Sequence, residues 1–321
     1  LSQYLFAEPS EENNFAAFAK QANLRHHHSS QAEDLMLLFN PRRYNRFHPD
    51  PKSKALIEKT IDFFEQKGLA AIKNDDQNST WHDDFFQFVR EEKIFAQLLT
   101  RSGYGPQDSR WDMWRISEFN EILGFYGLSY WYAWQVSILG LGPIWMSENE
   151  TAKNEAAQAL QNGGIFAFGL SEKAHGADIY STDMTLSQDG EGRWIANGSK
   201  YYIGNGNKAA MVSTFGKFAD TGDYVFFVAR PGQPGYAVKK KIATSGVRPA
   251  FVAEYALQNY PVTEQDILHR GEQAWNAALN TVNIGKFELG FASIGIATHA
   301  YYEAIDHAAN RELYKRQVTD F

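Results

Sequence analysis

The chain has 321 residues, 44% of them apolar and 15% aromatic, with a formal net charge of −7 and a pI of about 5.7. That composition supplies buried cores for two or three domains and excludes a largely disordered chain. An acidic balance without a basic block disfavours a nucleic-acid partner, and the lack of cysteine removes disulfides, thiolate metal sites and cysteine nucleophiles.

No run of about 18 apolar residues occurs, so no spanning helix is expected. The N-terminus lacks the basic start and apolar stretch of a signal peptide. The sequence begins at Leu1 and stops at Phe321, just after a helix-like pattern, and a partial chain is the expectation.

Residues 1–50 are mixed. Phe15 and Phe18 sit in a helix-like stretch, and Asn40-Pro41 reads as a break. His26, His27 and His28 form a triplet that reads as solvated surface rather than a metal site, because three consecutive side chains cannot converge on one point. From Lys52 the apolar positions form a helical stripe that Gly68 should stop. Phe85 to Leu98 predict a second helix, Asp112 to Tyr126 a third, and Leu128 to Leu139 a fourth interrupted by Gly140, Gly142 and Pro143. Ser147, with Glu150 three residues on, predicts a capping box for a helix that ends at Asn162-Gly163.

After Gly163 the period changes to two, with β-branched and aromatic residues. Strands are expected at 165–170, 181–187, 193–196, 200–203, 211–218, 224–229, 236–240 and 251–257. Turns fall between them at Asp189-Gly190, Asn197-Gly198, Asn205-Gly206, Thr221-Gly222 and Pro231 to Gly235. Short strands with short links predict an antiparallel, barrel-like or sandwich domain. From Glu272 to Arg311 the pattern is helical again, with apolar residues on every side. The expected fold is therefore α+β: an N-terminal helical domain (1–163), a β domain (164–270), and the first long helix of a further helical domain (271–321).

Several common sites are excluded. Gly163-Gly164 precedes a strand instead of joining a strand to a helix, which rules out the dinucleotide fingerprint. Ser171 lacks the glycine frame of a nucleophile elbow. No phosphate-loop lysine pattern occurs.

Three stretches instead carry a resemblance. The first is Phe168, Gly169, Leu170, Ser171, Glu172, Lys173, Ala174, His175, Gly176, Ala177, Asp178. The second is Gly198, Ser199, Lys200, Tyr201, Tyr202, Ile203, Gly204, Asn205, Gly206. The third is Arg311, Glu312, Leu313, Tyr314, Lys315. In order and interval they resemble the motifs of the acyl-CoA dehydrogenases, with Lys173 in place of Pro, Ala177 of Ser, Tyr202 of Trp, Gly204 of Thr and Lys315 of Gly. The α, β, α order agrees.

The resemblance implies an FAD site. Within it, Phe168 is the motif's aromatic. Leu170 and Ser171 would give backbone and hydroxyl contacts to the flavin's polar edge, and Tyr202 would stack on the ring. The family's Thr donates to the reactive flavin nitrogen, so Gly204 leaves that bond to backbone or loses it. Gly176 and Ala177 would let backbone approach the pyrophosphate, and Arg311 and Tyr314 would reach the cofactor of a neighbouring subunit. Strand alternation predicts that Tyr201 faces away from Tyr202. Glu172 and Asp178 read as structural, His175 as a loop residue, and no metal is expected.

The implied reaction is α,β-dehydrogenation of an acyl-CoA to the 2,3-enoyl-CoA, with hydride passing to FAD and electrons onward to an electron-transfer flavoprotein, as in fatty-acid β-oxidation. A homodimer or homotetramer is implied, in the cytoplasm or, in a eukaryote, the mitochondrial matrix. The α proton needs a carboxylate base. One family position for it falls on Gly285, so the base is expected after Phe321, with Glu288 as a rival. Alternatives are an acyl-CoA oxidase using oxygen and a cofactor-free binding or assembly relative.

Overall fold

The computed structural model of the protein describes residues 38–41, 44, 46, 48 and 50–321. Phe15, Phe18 and the three histidines at 26–28 fall outside the described residues. Among the described residues six helices precede the sheet: α1 Pro51–Asn78, α2 Asp83–Glu91, α3 Ile94–Leu99, α4 Met113–Tyr126, α5 Leu128–Met146 and α6 Glu150–Gln161. Eight strands follow: β1 Phe166–Gly169, β2 Thr185–Gln188, β3 Trp194–Gly204, β4 Met211–Phe218, β5 Tyr224–Ala229, β6 Tyr236–Lys241, β7 Val252–Val262 and β8 Ile267–Arg270. The long helix α7, Glu272–Asn310, and a two-strand hairpin, β9 Glu312–Leu313 and β10 Arg316–Gln317, close the chain. The expected α, β, α order holds.

Local chemistry explains the boundaries. Gly68 breaks α1 with φ 74° and ψ 152°, although helical residues resume beyond it, because glycine tolerates positive φ without a Cβ clash. The predicted capping box at Ser147 does not form. Asn149 caps α6 instead, its side chain accepting from Ala152 N at 2.9 Å. The Ser147 hydroxyl turns back to donate to Ile144 O at 2.8 Å. Pro143 and its neighbouring glycines do not end α5, which runs on to Met146.

The chain divides into two compact units. One contains the described residues up to Ile72 together with Asp112–Leu128 and Leu289–Phe321. There, Phe64 stacks on Tyr126 at 4.6 Å and Phe39 meets Phe125 edge-on at 5.0 Å. Helix α7 lies backbone-close on α4, since a Cβ on Gly124 would sit 2.5 Å from Ala292 O.

The other unit contains Lys73–Trp111 and Ser129–Glu288, and it holds the sheet. Strand order is β6-β7-β3-β2-β4-β5-β8, with β1 paired to β4 off this path. The sheet is mixed: β1 and β2 both run parallel to β4, and the remaining pairings are antiparallel. Two predicted strands, 193–196 and 200–203, are one long β3, and β8 escaped prediction because four residues carry too little period. Met184, Leu186, Ile203, Val212, Phe227, Tyr255 and Leu257 form its core. Helix α5 is fixed to the sheet by polar ties. Ser213 Oγ donates to Gly140 O at 2.6 Å, and Asn205 Nδ2 donates to Ala133 O at 2.9 Å and Phe166 O at 3.0 Å.

Candidate functional site

The end of β1 and the middle of β3 are neighbours. Tyr201 N donates to Ser171 O at 2.9 Å, which brings the first two sequence motifs together. Lys200 pairs with Tyr255 of β7, and Ile203 pairs with Ala253. Two residues, Tyr201 and Tyr202, therefore oppose the single Glu254, which is a β-bulge.

The bulge sets the site's shape. Tyr202 adopts φ 61° and is 59% exposed. A bulky residue in the left-handed region is uncommon and costs of order 1–3 kcal/mol, and such strain gathers at ligand sites. The bulge also overturns the expected alternation. The Tyr201 and Tyr202 rings meet edge to face at 4.7 Å instead of pointing to opposite faces. Lys173 and Lys240 place their ammonium groups 5.8 and 5.4 Å from the Tyr201 ring, close enough for cation–π attraction.

Beneath the bulge lies a buried ion pair that anchors it. Glu172 Oε1 accepts from Lys200 Nζ at 2.6 Å and from Thr182 Oγ1 at 2.5 Å, and Oε2 accepts from Asp183 N at 2.7 Å. Lys200 Nζ also donates to Leu170 O at 3.0 Å. Lys200 is fully buried, and desolvation pulls its pKa down to about 8 against the opposing pull of Glu172. For Glu172, burial pushes upward, but the Lys200 charge and its hydrogen bonds hold the carboxyl below its usual range. One pair thus clamps the 172–184 loop, the end of β1 and β3. Glu172 is structural, as expected. Lys200 stands within the second sequence motif, but its partner Glu172 lies in the first, and local pattern does not link them.

The other predicted residues fall as follows. Phe168 is half-buried and stacks on Phe226 at 5.8 Å. Leu170 is half-buried, while Ser171 is exposed and its hydroxyl has no partner among the described residues. Gly176 is exposed with open space where a Cβ would point, and Ala177 beside it is exposed with φ 62°. Gly204 is buried. Arg311 and Tyr314 belong to the other unit; both are exposed, Tyr314 by 90%.

Glu172, His175 and Asp183 bring potential cation ligands within 4.8 Å of one another. His175 Nε2 stands 2.9 Å from Asp183 Oδ2, but the oxygens of Glu172 are already taken by Lys200, Thr182 and the Asp183 amide. A cation there would also face the Lys200 charge.

In α7, Gly285 packs on α5, with its Cβ position 3.0 Å from Gln135 Nε2 and from Leu139 Cδ2. Glu288, one turn on, is fully buried with neither carboxylate oxygen hydrogen-bonded, and burial alone pushes its pKa well above the usual value. Among the described residues, no helix is long and apolar enough to cross a membrane.

Residues 167–260 match the model of the acyl-CoA dehydrogenase middle domain. An acyl-CoA dehydrogenase of Bacillus subtilis (strain 168) is 29% identical over 184 residues, covering 56% of this chain and 48% of that protein. The short-chain specific acyl-CoA dehydrogenase of Megasphaera elsdenii is 25% identical over 183 residues, again covering 56% and 48%. Among solved structures, butyryl-CoA dehydrogenase from Megasphaera elsdenii superposes with a TM-score of 0.78 at 20% identity, over 86% of this chain and 74% of that one. A glutaryl-CoA dehydrogenase from Mycobacterium smegmatis, solved in complex with FADH2, gives 0.73 at 20% identity over 85% and 69%. The chain shares the fold of these solved structures, and its residues 167–260 are similar to the acyl-CoA dehydrogenase middle domain. It spans about half the length of the curated relatives it matches.

Proposed function

We propose that this chain carries the flavin site of an FAD-dependent acyl-CoA dehydrogenase, which oxidises an acyl-CoA to the 2,3-enoyl-CoA. The observation that carries the reading is the β3 bulge. It holds a strained, exposed Tyr202 beside Ser171, whose hydroxyl has no partner among the described residues, and a buried ion pair anchors both segments. A flat ligand with a polar edge fits that combination, because the ring face needs an aromatic surface and the edge needs donors and acceptors.

In this reading Tyr202 covers one ring face, and Ser171 and the Leu170 backbone meet the polar edge. The open backbone at Gly176 and Ala177 takes the pyrophosphate. When bound, FAD supplies the hydride acceptor. The residues of this chain bind it, orient it and shield it from water. Glu288 is fully buried, with neither carboxylate oxygen hydrogen-bonded and burial pushing its pKa well above the usual value, and Gly285 has no side chain, so we assign neither as the base. Arg311 and Tyr314 serve a neighbouring subunit's cofactor, in a homodimer or homotetramer that delivers electrons to an electron-transfer flavoprotein.

The test is direct. Purified protein should show flavin absorption that an acyl-CoA bleaches under anaerobic conditions. No bound flavin after reconstitution would refute the reading, and oxygen consumption with acyl-CoA alone would move the assignment to an oxidase.

A further inference from the structure

Gly204 is where this chain departs most sharply from the resemblance, since the motif's hydroxyl-bearing side chain is missing there. The space is not empty. A Cβ built on Gly204 would stand 2.8 Å from Tyr132 Cε1, 2.9 Å from the Tyr132 hydroxyl and 2.7 Å from Val136 Cγ2. Real Cβ atoms do not approach that closely, so any larger residue at 204 would have to displace Tyr132. The contact is held on both sides. Asn205, next to Gly204, donates to the carbonyl of Ala133, next to Tyr132, at 2.9 Å. Asn205 is fully buried, and its second bond, to Phe166 O at 3.0 Å, fastens the junction to β1.

The Tyr132 hydroxyl is itself unusual. It makes no hydrogen bond among the described residues, and partial burial pushes its pKa up to about 12. Tyr132 is half-buried, so its unpartnered hydroxyl is open to a ligand or water. It lies against Gly204, two residues along β3 from the exposed Tyr202 ring.

We propose that the Tyr132 hydroxyl, reaching across from α5, makes the hydrogen bond to the reactive edge of the flavin that a side chain at position 204 would otherwise make. Gly204 is small because the Tyr132 ring occupies its side-chain space. The proposal rests on the flavin reading above. It places one member of the cofactor's hydrogen-bond set on a helix that precedes both flavin motifs in sequence.

The experiment uses purified protein reconstituted with FAD and compares Tyr132→Phe and Gly204→Ala with the parent. The readouts are the visible spectrum of the bound flavin, its reduction potential and its dissociation constant, with far-UV circular dichroism as the check on folding. Tyr132→Phe keeps the ring and removes only the hydroxyl. We expect it to retain FAD about three- to tenfold more weakly, the range of one neutral hydrogen bond, with shifted flavin bands and a lower potential. Gly204→Ala should push the ring aside and give the same shift. The double variant should be no worse than either single one, because both remove one interaction. A Tyr132→Phe protein with parental spectrum and potential overturns the inference, as does a shift seen in Gly204→Ala alone. A parent that binds no FAD at all overturns the flavin reading and this inference with it, an outcome distinct from either variant result.

Discussion

Replacing Glu288 by Gln tests the most anomalous group in the molecule. Its carboxyl is fully buried and accepts no hydrogen bond, and desolvation alone raises its pKa well above 4.5. Because the folded-state value is raised, the native state holds this proton after the unfolded state has released it. Native protein then binds more protons than unfolded protein, so stability falls as pH rises from the ordinary carboxyl range toward the folded-state value. The slope from one such group reaches about 1.4 kcal/mol per pH unit. Glu288→Gln removes the proton equilibrium while keeping the shape. The new amide is also buried and unpaired, which costs about 1–3 kcal/mol at every pH. The level is therefore uninformative and the slope is the signal. Urea unfolding of parent and variant at half-unit steps should give a stability difference that moves in favour of the variant as pH rises, with a slope of at most about 1.4 kcal/mol per pH unit. Parallel curves from pH 5 to pH 7 would show that Glu288 ionises normally and that its burial has been misread.

Three further outcomes follow from the bulge and its anchor. Tyr202→Ala should weaken FAD by about 1–3 kcal/mol, from lost stacking and buried area. Tyr201→Ala should weaken it by less but measurably, because its ring supports Tyr202 edge-on, and fluorescence titration would separate the two. Glu172→Gln leaves the buried Lys200 charge without its counter-ion and should destabilise the β-sheet unit by about 3–5 kcal/mol. Thermal melting checks this, and a shift no larger than that of an exposed Glu191→Gln control would refute the clamp.

Much of this was legible in the residues. Periodicity placed α4, β4 and β5 because their apolar positions repeat over 14, 8 and 6 residues. Phe168 to Asp178 and Gly198 to Gly206 marked the β1 and β3 segments that converge. What stayed hidden was set by contacts distant in sequence. The parallel pairing of β1 with β4 joins Phe166 to Met211, and no local pattern encodes that partner. The bulge at Tyr201 and Tyr202 depends on the register with β7, so simple alternation assigned Tyr201 to the wrong face. Asn149 capped α6 in place of Ser147 because its amide also reaches Gln265 O and Ile267 O, a tertiary gain no capping rule sees. Tyr132 gave no signal in its own helix, since only Gly204 reveals what the ring displaces.

The last motif departure, Lys315 where the family pattern has Gly, has a conformational cost that can be recovered. Tyr314 and Lys315 form the two-residue loop of the β9–β10 hairpin, in which Arg316 pairs with Leu313 and Gln317 with Glu312. Both loop residues have positive φ, 52° for Tyr314 and 65° for Lys315, the pattern of a type I′ turn that favours glycine at its second position. A Cβ in the left-handed region costs roughly 1–2 kcal/mol, and part of any gain from removing it is offset because glycine loses more freedom on folding. Lys315→Gly should therefore tighten the hairpin by about 0.5–1 kcal/mol. Amide exchange reads this locally, and protection should rise two- to fivefold at the hairpin amides of Leu313 and Arg316. The hairpin also fixes the segment that carries Arg311, whose carbonyl accepts from Val318 N at 3.0 Å. If Arg311 serves a neighbouring subunit's cofactor, the stiffer hairpin should retain FAD more strongly at low protein concentration, and Arg311→Gln should abolish that gain. Faster exchange in Lys315→Gly would show that the lysine side chain stabilises the turn more than its backbone strain weakens it.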